Sequence, residues 1–253
     1  MNEVPIAIWQ HIPSPMISRF LCKMGWERVI LDMQHGAANF ETAYEFVHTV
    51  RTAGSIPWVR TSIGSPSEVQ RALDIGARGV IVPMVNSVAE ARDMARAAKY
   101  PPQGVRSFGG DASLHYGTDY PERANRETLL LVQIEHIDAV RQVEEILAID
   151  GVDGCFVGPT DLALSMGLSR FDYEAQREHQ DAIRRIVAAS RSSGKLACCN
   201  TYSMQDFREK LALGFGCVSF LSEVDFFMNA GTRLFESLCA ERKLRAPTGN
   251  EHE

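Results

Sequence analysis

Eight short apolar runs, each of strand length and each followed by an amphipathic stretch of helix length, constrain this chain more than any other feature. That alternation is the pattern of βα units around a parallel sheet, because a parallel crossover needs a helix-sized connection. The runs are Ile6 to Trp9, Arg28 to Met33, Pro57 to Arg60, Gly79 to Val85, Leu129 to Glu135, Gly154 to Pro159, Leu196 to Asn200 and Cys217 to Leu221. Ser65-Pro66-Ser67-Glu68 and Ser87-Val88-Ala89-Glu90 read as helix starts, each with an N-cap serine and a glutamate at the third helical position. Gly76, Gly151, Gly194 and Gly214 lie just before strands, where a helix ends and the chain turns back. Eight such units predict an α/β fold of the TIM (β/α)8 barrel type. A doubly wound sheet is the competitor, but no G-x-G-x-x-G follows the first run and no Walker A pattern occurs.

A chain of 253 residues, 45% hydrophobic and 23% charged, fits one large domain or two small ones. The Pro/Gly/Ser-rich linker that two domains would want is missing, so a single barrel over residues 1–253 is expected. The net charge of -6 comes from 32 acidic against 26 basic residues spread along the chain, which leaves no basic stripe for nucleic acid. Six cysteines without a C-x-x-C read as buried thiols of a reducing compartment. MNEVPIAIWQ lacks a basic n-region and is soon interrupted by His11 and Pro13, so neither a secretion signal nor a membrane span is expected, and a cytoplasmic location is. Tyr100 to Glu127, with Pro101, Pro102, Gly104, Gly109, Gly110 and Gly117, reads as one long irregular connection across one end of the barrel, of the kind that forms lids and binding loops. Val224 to Lys243 reads as a last helix starting with Phe226, Phe227 and Met228, and Ala246 to Glu253 as a frayed tail.

Chemistry-bearing side chains collect where the runs stop. In a parallel barrel the strand C-termini assemble the active site. Glu135 ends LLLVQIE and Asp161 follows GCFVGPT, so neighbouring strands present two carboxylates to one pocket. Hard oxygen ligands of this kind suit Mg²⁺ or Mn²⁺, with Co²⁺ also accepted. The alternative is that Glu135 pairs with an arginine and Asp161 caps a short helix. His35 follows Asp32 by three residues, a spacing at which a carboxylate can orient an imidazole for proton transfer; the alternative is a solvated loop histidine. Arg60 ends PWVR, where a guanidinium can neutralise an enolate or, alternatively, bridge to a barrel carboxylate. Arg106 either closes over a site or caps a barrel end. His11 and His136 adjoin strand ends without further pattern. No lysine projects from a strand toward the mouth, so Schiff-base chemistry is not expected and carbanion chemistry would rely on a metal ion.

Taken together, ILDMQHG, GVIVPMVNSVAEAR, KYPPQGVRS, VQIEHIDAV and DGVDGCFVGPTDLALSMG resemble, in order and spacing, the HpcH/HpaI family of class II pyruvate aldolases. The resemblance implies a barrel of the phosphoenolpyruvate/pyruvate superfamily, a last helix over residues 224–243 swapped onto a neighbouring subunit, and a homohexamer. It makes Glu135 and Asp161 the metal ligands and Arg60 the group that polarises the keto oxygen and binds substrate. His35, supported by Asp32, becomes the base, acting through a metal-bound water. Gln133 hydrogen-bonds near the keto acid, and the backbone N–H groups of Thr160 and Asp161 hold its carboxylate. The implied reaction is reversible retro-aldol cleavage of a 4-hydroxy-2-oxo acid to pyruvate and an aldehyde. An oxaloacetate-type decarboxylase or other carbon–carbon lyase, and a non-catalytic keto-acid-binding barrel, are the alternatives. Two departures from the family are Gln34 where Glu is common and His136 where a small residue is common; the second adds a titratable group near the metal.

Overall fold

A computed structural model describes residues 4–169 and 171–244. The eight runs form eight strands, β1 (Ile6–Gln10), β2 (Arg28–Asp32), β3 (Ile56–Arg60), β4 (Gly79–Val82), β5 (Leu129–Ile134), β6 (Gly154–Val157), β7 (Leu196–Thr201) and β8 (Cys217–Ser222). They close in sequence order into an all-parallel barrel, β8 pairing back to β1. The helices are α1 (Pro15–Lys23), α2 (Phe40–Thr52), α3 (Pro66–Asp74), α4 (Val88–Ala98), α5 (Ala112–Tyr116), α6 (Tyr120–Glu127), α7 (Ile137–Arg141), α8 (Val143–Leu147), α9 (Pro159–Ser165), α10 (Arg177–Ser192), α11 (Met204–Leu213) and α12 (Glu223–Leu244). The expected tail from Ala246 lies outside the described residues.

Strand ends depart from the sequence reading for local reasons. β4 stops at Val82 rather than Val85 because Pro83 has no N–H to donate to the ladder. β6 stops at Val157 because Pro159 opens α9 at its first turn. Ser87 and Glu90 form the full capping box, whereas Ser65 makes no side-chain cap and Glu68 instead accepts from Ser62. Gly76, Gly151, Gly194 and Gly214 all hold positive φ (96°, 92°, 65° and 101°), the left-handed turn that ends each preceding helix.

Period-two alternation divides the side chains of each strand between two cores. Val29 and Leu31 of β2 face the helices and join a large apolar layer, whereas Ile30 faces the barrel axis with Trp9, Trp58, Ile81, Leu131, Phe156 and Cys198. Trp58, 1% exposed, fills the space that Gly79 leaves: a Cβ on Gly79 would lie 2.6 Å from its indole. Gly79→Ala therefore overpacks the axis, and chemical denaturation is expected to show a loss of about 1–3 kcal/mol. An unchanged midpoint would mean that the indole has room to move.

The long connection corrects one expectation. Tyr100 to Glu127 contains α5 and α6, and it packs against the end of the barrel opposite the strand C-termini. Arg106, 2% exposed, donates to Asp74 at the end of α3 (3.2 and 2.8 Å) and stacks over Tyr100, while the Tyr116 hydroxyl donates to the Gly76 carbonyl at 2.7 Å. Asp74 and Gly76 precede β4, so this segment closes the floor of the barrel and cannot be a lid over the mouth. Arg106 accordingly caps a barrel end. Lys99 serves the same floor, reaching Asp153 at 2.8 Å and the Thr128 carbonyl at 3.2 Å.

Candidate active site

Alternation also decides which residues meet at the mouth. Along β1 the axis-facing positions are Ala7 and Trp9, and the next in phase is His11. Along β2 and β3 they end at Asp32 and Arg60, and along β5 at Gln133 and then Glu135. A cavity of about 210 Å³ opens there, lined among others by Trp9, His11, His35, Arg60, Gln133, Gly158, Thr160, Asp161 and Asn200. No lysine lines it.

Asp32, fully buried, binds Arg60 in fork geometry: Nε donates to Oδ1 at 2.9 Å and Nη2 to Oδ2 at 2.5 Å. The Arg60 guanidinium also lies 4.5 Å from the Trp9 ring centre. Asp32 does not meet the His35 imidazole. Its Oδ1 accepts the backbone N–H groups of Gln34 (2.9 Å) and His35 (3.2 Å), and the imidazole on its Oδ2 is that of His11, at 3.1 Å. The expected support of His35 by Asp32 is thus a fixing of the loop backbone, with the exposed His35 ring left at the cavity wall. Burial alone would raise the Asp32 pKa, but hydrogen bonds from His11 and Arg60 outweigh it and hold the carboxyl well below the usual range.

Glu135, 2% exposed, is gripped from two sides. Its Oε1 accepts the Met84 N–H at 2.8 Å, and its Oε2 accepts the Gln133 amide. Met84 holds a φ of 53°, unusual for a side chain of its kind, in the turn that aims this N–H. Gly158 faces the same carboxylate, and a Cβ there would lie 2.6 Å from Glu135 Oε2. Desolvation raises the Glu135 pKa, and the negative charge of Asp161 adds to the rise. Gln133 Oε1 is buried without a partner. Thr160 meets the Tyr173 hydroxyl at 3.2 Å and, with Asp161, opens α9 at the cavity edge. His136, by contrast, caps α7 by accepting the Asp138 N–H at 3.2 Å, and it is not among the residues that line the cavity.

Two members of this constellation escaped the sequence reading. His11 carried its signal in phase, two residues beyond the inward Trp9, as Asp32 lies two beyond Ile30. Glu223, at the start of α12 and 2% exposed, accepts the backbone N–H groups of His11 (2.7 Å) and Ile12 (2.5 Å). Only the packing of α12 against β1 reveals it.

A closed parallel barrel whose C-terminal mouth holds a buried arginine–aspartate fork and a second acidic pair is the architecture of a (β/α)8 barrel enzyme. Residues 6–227 match the HpcH/HpaI aldolase/citrate lyase family, and the chain belongs to it. It is 36% identical over 215 residues to a hydroxypyruvate/pyruvate aldolase of Rhizorhabdus wittichii, covering 85% of this chain and 86% of the relative. It is 33% identical over 197 residues to a 4-hydroxy-2-oxo-heptane-1,7-dioate aldolase of Escherichia coli, covering 75% and 73%. A crystal structure of an HpcH/HpaI aldolase/citrate lyase family protein from Burkholderia cenocepacia superposes with a TM-score of 0.85 at 26% identity, over 93% of this chain and 95% of that one. The chain is accordingly an enzyme of the lyase and aldolase type.

Proposed function

We propose that the chain cleaves and forms a 4-hydroxy-2-oxo acid by a metal-dependent aldol reaction, with pyruvate or a close relative as the 2-oxo acid half and an aldehyde as the other. The observation that carries this reading is the juxtaposition of the Arg60 guanidinium and Asp161 at the wall of one small cavity, with the buried Glu135 carboxylate directly against two of its lining residues, Gln133 and Gly158. A volume of about 210 Å³ suits a short keto acid better than the ~300–1,000 Å³ usual for drug-sized ligands. The aldolase names of the relatives, two of which include pyruvate or an oxo acid, support it.

The donor set fits a hard divalent cation, Mg²⁺ or Mn²⁺ with Co²⁺ acceptable. Glu135 and Asp161 would supply oxygen ligands, and the buried Gln133 Oε1 beside Glu135 is an acceptor still without a partner. When bound, the cation supplies a Lewis acid next to the keto group. The protein's own groups do the rest. Backbone N–H groups of Thr160 and Asp161, in the first turn of α9, hold the substrate carboxylate. Gln133 hydrogen-bonds near the keto acid. His35 accepts the 4-hydroxyl proton; the C3–C4 bond breaks, its electron pair passes to C3 and the aldehyde leaves. Arg60 neutralises the enolate oxygen, and protonation at C3 completes pyruvate.

Beyond the cavity, α12 leaves the barrel with Phe227, Met228, Leu234, Phe235 and Leu238 more than half exposed, which supports a homo-oligomer, hexameric by resemblance, with this helix covered by a neighbour. Free thiols at all six cysteines support a reducing, cytoplasmic setting. Among the described residues no helix is long and apolar enough to cross a membrane.

Proton NMR of pyruvate in D₂O tests the core of this reading without a choice of aldehyde. Loss of the methyl signal is expected to require both protein and Mg²⁺ or Mn²⁺ and to stop with a chelator. Bound pyruvate without exchange would overturn it.

A further inference from the structure

Asp32 is shared. Its two oxygens receive Arg60 Nε and Nη2, two backbone N–H groups and His11 Nε2, so His11 and Arg60 compete for one carboxylate. On its other side, His11 Nδ1 lies 3.8 Å from Glu223 Oε2, an oxygen that is buried and has no hydrogen-bond partner. The His11 backbone is fixed as well: Glu223 Oε1 holds its N–H at 2.7 Å, and its carbonyl accepts the Ala37 N–H at 3.2 Å, from the loop that carries His35. An imidazole pinned between two buried carboxylates at the cavity wall is a built feature, and nothing in the reaction as described uses it.

Charge decides what it does. Asp32 and Glu223 bring two negative charges and Arg60 one positive, so with a neutral His11 the cluster is net negative beside a site that must gather enolate charge. A protonated His11 makes it neutral. We propose that His11 is a positioning residue which, carrying a proton between Asp32 and Glu223, takes up part of the Asp32 charge and leaves the Arg60 guanidinium available to the keto oxygen. The hydrogen bond to Asp32 raises the His11 pKa, burial opposes the rise, the charges of Asp32 and Glu223 add to it and that of Arg60 lowers it. The groups facing His11 are Asp32 from β2, Arg60 from β3 and Glu223 from α12; His35, Asp161 and Asp225 line the same cavity.

This rests on the enolate reading of the site, and two measurements separate the two. The first needs no turnover: the His11 imidazole, assigned by its absence from His11→Gln, is titrated by NMR in the metal-free protein. It is expected to hold its proton above the ordinary histidine range of about 6.5, and to lose it at lower pH in Glu223→Gln. The second is the pH profile of metal-dependent pyruvate methyl exchange. The wild-type rate constant is expected to fall as pH rises through the titration of His11. In His11→Gln that limb disappears, and the rate constant stays flat at about a tenth of the low-pH wild-type value, with a smaller change in KM. Glu223→Gln moves the limb to lower pH. Absence of exchange in the wild type defeats the enolate reading while the titration still reports on the cluster. Exchange in the wild type with an unchanged limb in His11→Gln, or a His11 titration indifferent to Glu223→Gln, overturns the role of His11 alone.

Discussion

Glu135→Gln and Asp161→Asn are each expected to lower metal-dependent pyruvate exchange by more than about a hundredfold, the scale on which enzymes lose a single electrostatic stabiliser of a transition state. The glutamine variant is the more telling, because it changes charge with almost no change of shape. The amide oxygen can still accept the Met84 N–H that now reaches Oε1 at 2.8 Å, so the turn at Met84 keeps its partner. The carboxylate itself is desolvated and sits near the charge of Asp161, an arrangement that a fold would not choose for stability. Thermal unfolding with chelator present should therefore show Glu135→Gln no less stable than the wild type. Excess Mg²⁺ should raise the wild-type Tm, by linkage to the native state, and leave the variant unmoved. Retained exchange in both variants, or an equal Mg²⁺ response in them, would sink the assignment of ligands.

How much of this was readable beforehand differs from element to element, and the reason is directional information. All eight strands are present in the sequence because alternation and β-branched composition are local signals, and their ends shift by a single residue except where a proline intervenes, at Pro83 and Pro159. Gln133, inside β5, came only from the family resemblance, whereas the positions of Asp32, Arg60 and Glu135 were as legible as the strands, since each lies at the end of a run and strand C-termini share one end of a parallel barrel. Tyr100 to Glu127 was not. Irregular composition marks a long connection but carries no sign for the end of the barrel it covers; that is settled by the Arg106–Asp74 pair and by Tyr116 on Gly76. Spacing misled in a similar way at Asp32 and His35. Three residues is close enough for a dyad, but after a strand the same spacing lets the carboxylate accept backbone N–H groups in a turn, and that is the contact made. The imidazole it holds comes from another strand, which no local window could pair with it.

Asp32 carries the second large effect. Asp32→Ala strands a guanidinium that is 8% exposed, along with the N–H groups of Gln34 and His35, and breaking a buried pair from one side typically costs about 3–5 kcal/mol. Asp32→Asn keeps the shape and one acceptor oxygen, so it should lose less stability in denaturant unfolding while still losing most of the exchange activity through a misdirected Arg60. Its pH dependence tests the cause. The Asp32 pKa is depressed in the native state by His11 and Arg60, so its contribution is fully present above the unfolded-state value of about 4 and is lost as pH falls from there toward the native value. The stability gap between wild type and Asp32→Asn should accordingly be widest at about pH 5, shrink as pH rises through the titration of His11, whose proton Asp32 holds, and narrow as the solution is acidified below about 4. A gap that persists undiminished at low pH would assign the loss to shape and hydrogen bonding at the amide. In that case the charge shared by Arg60 and His11 would not be what holds the mouth of the barrel together.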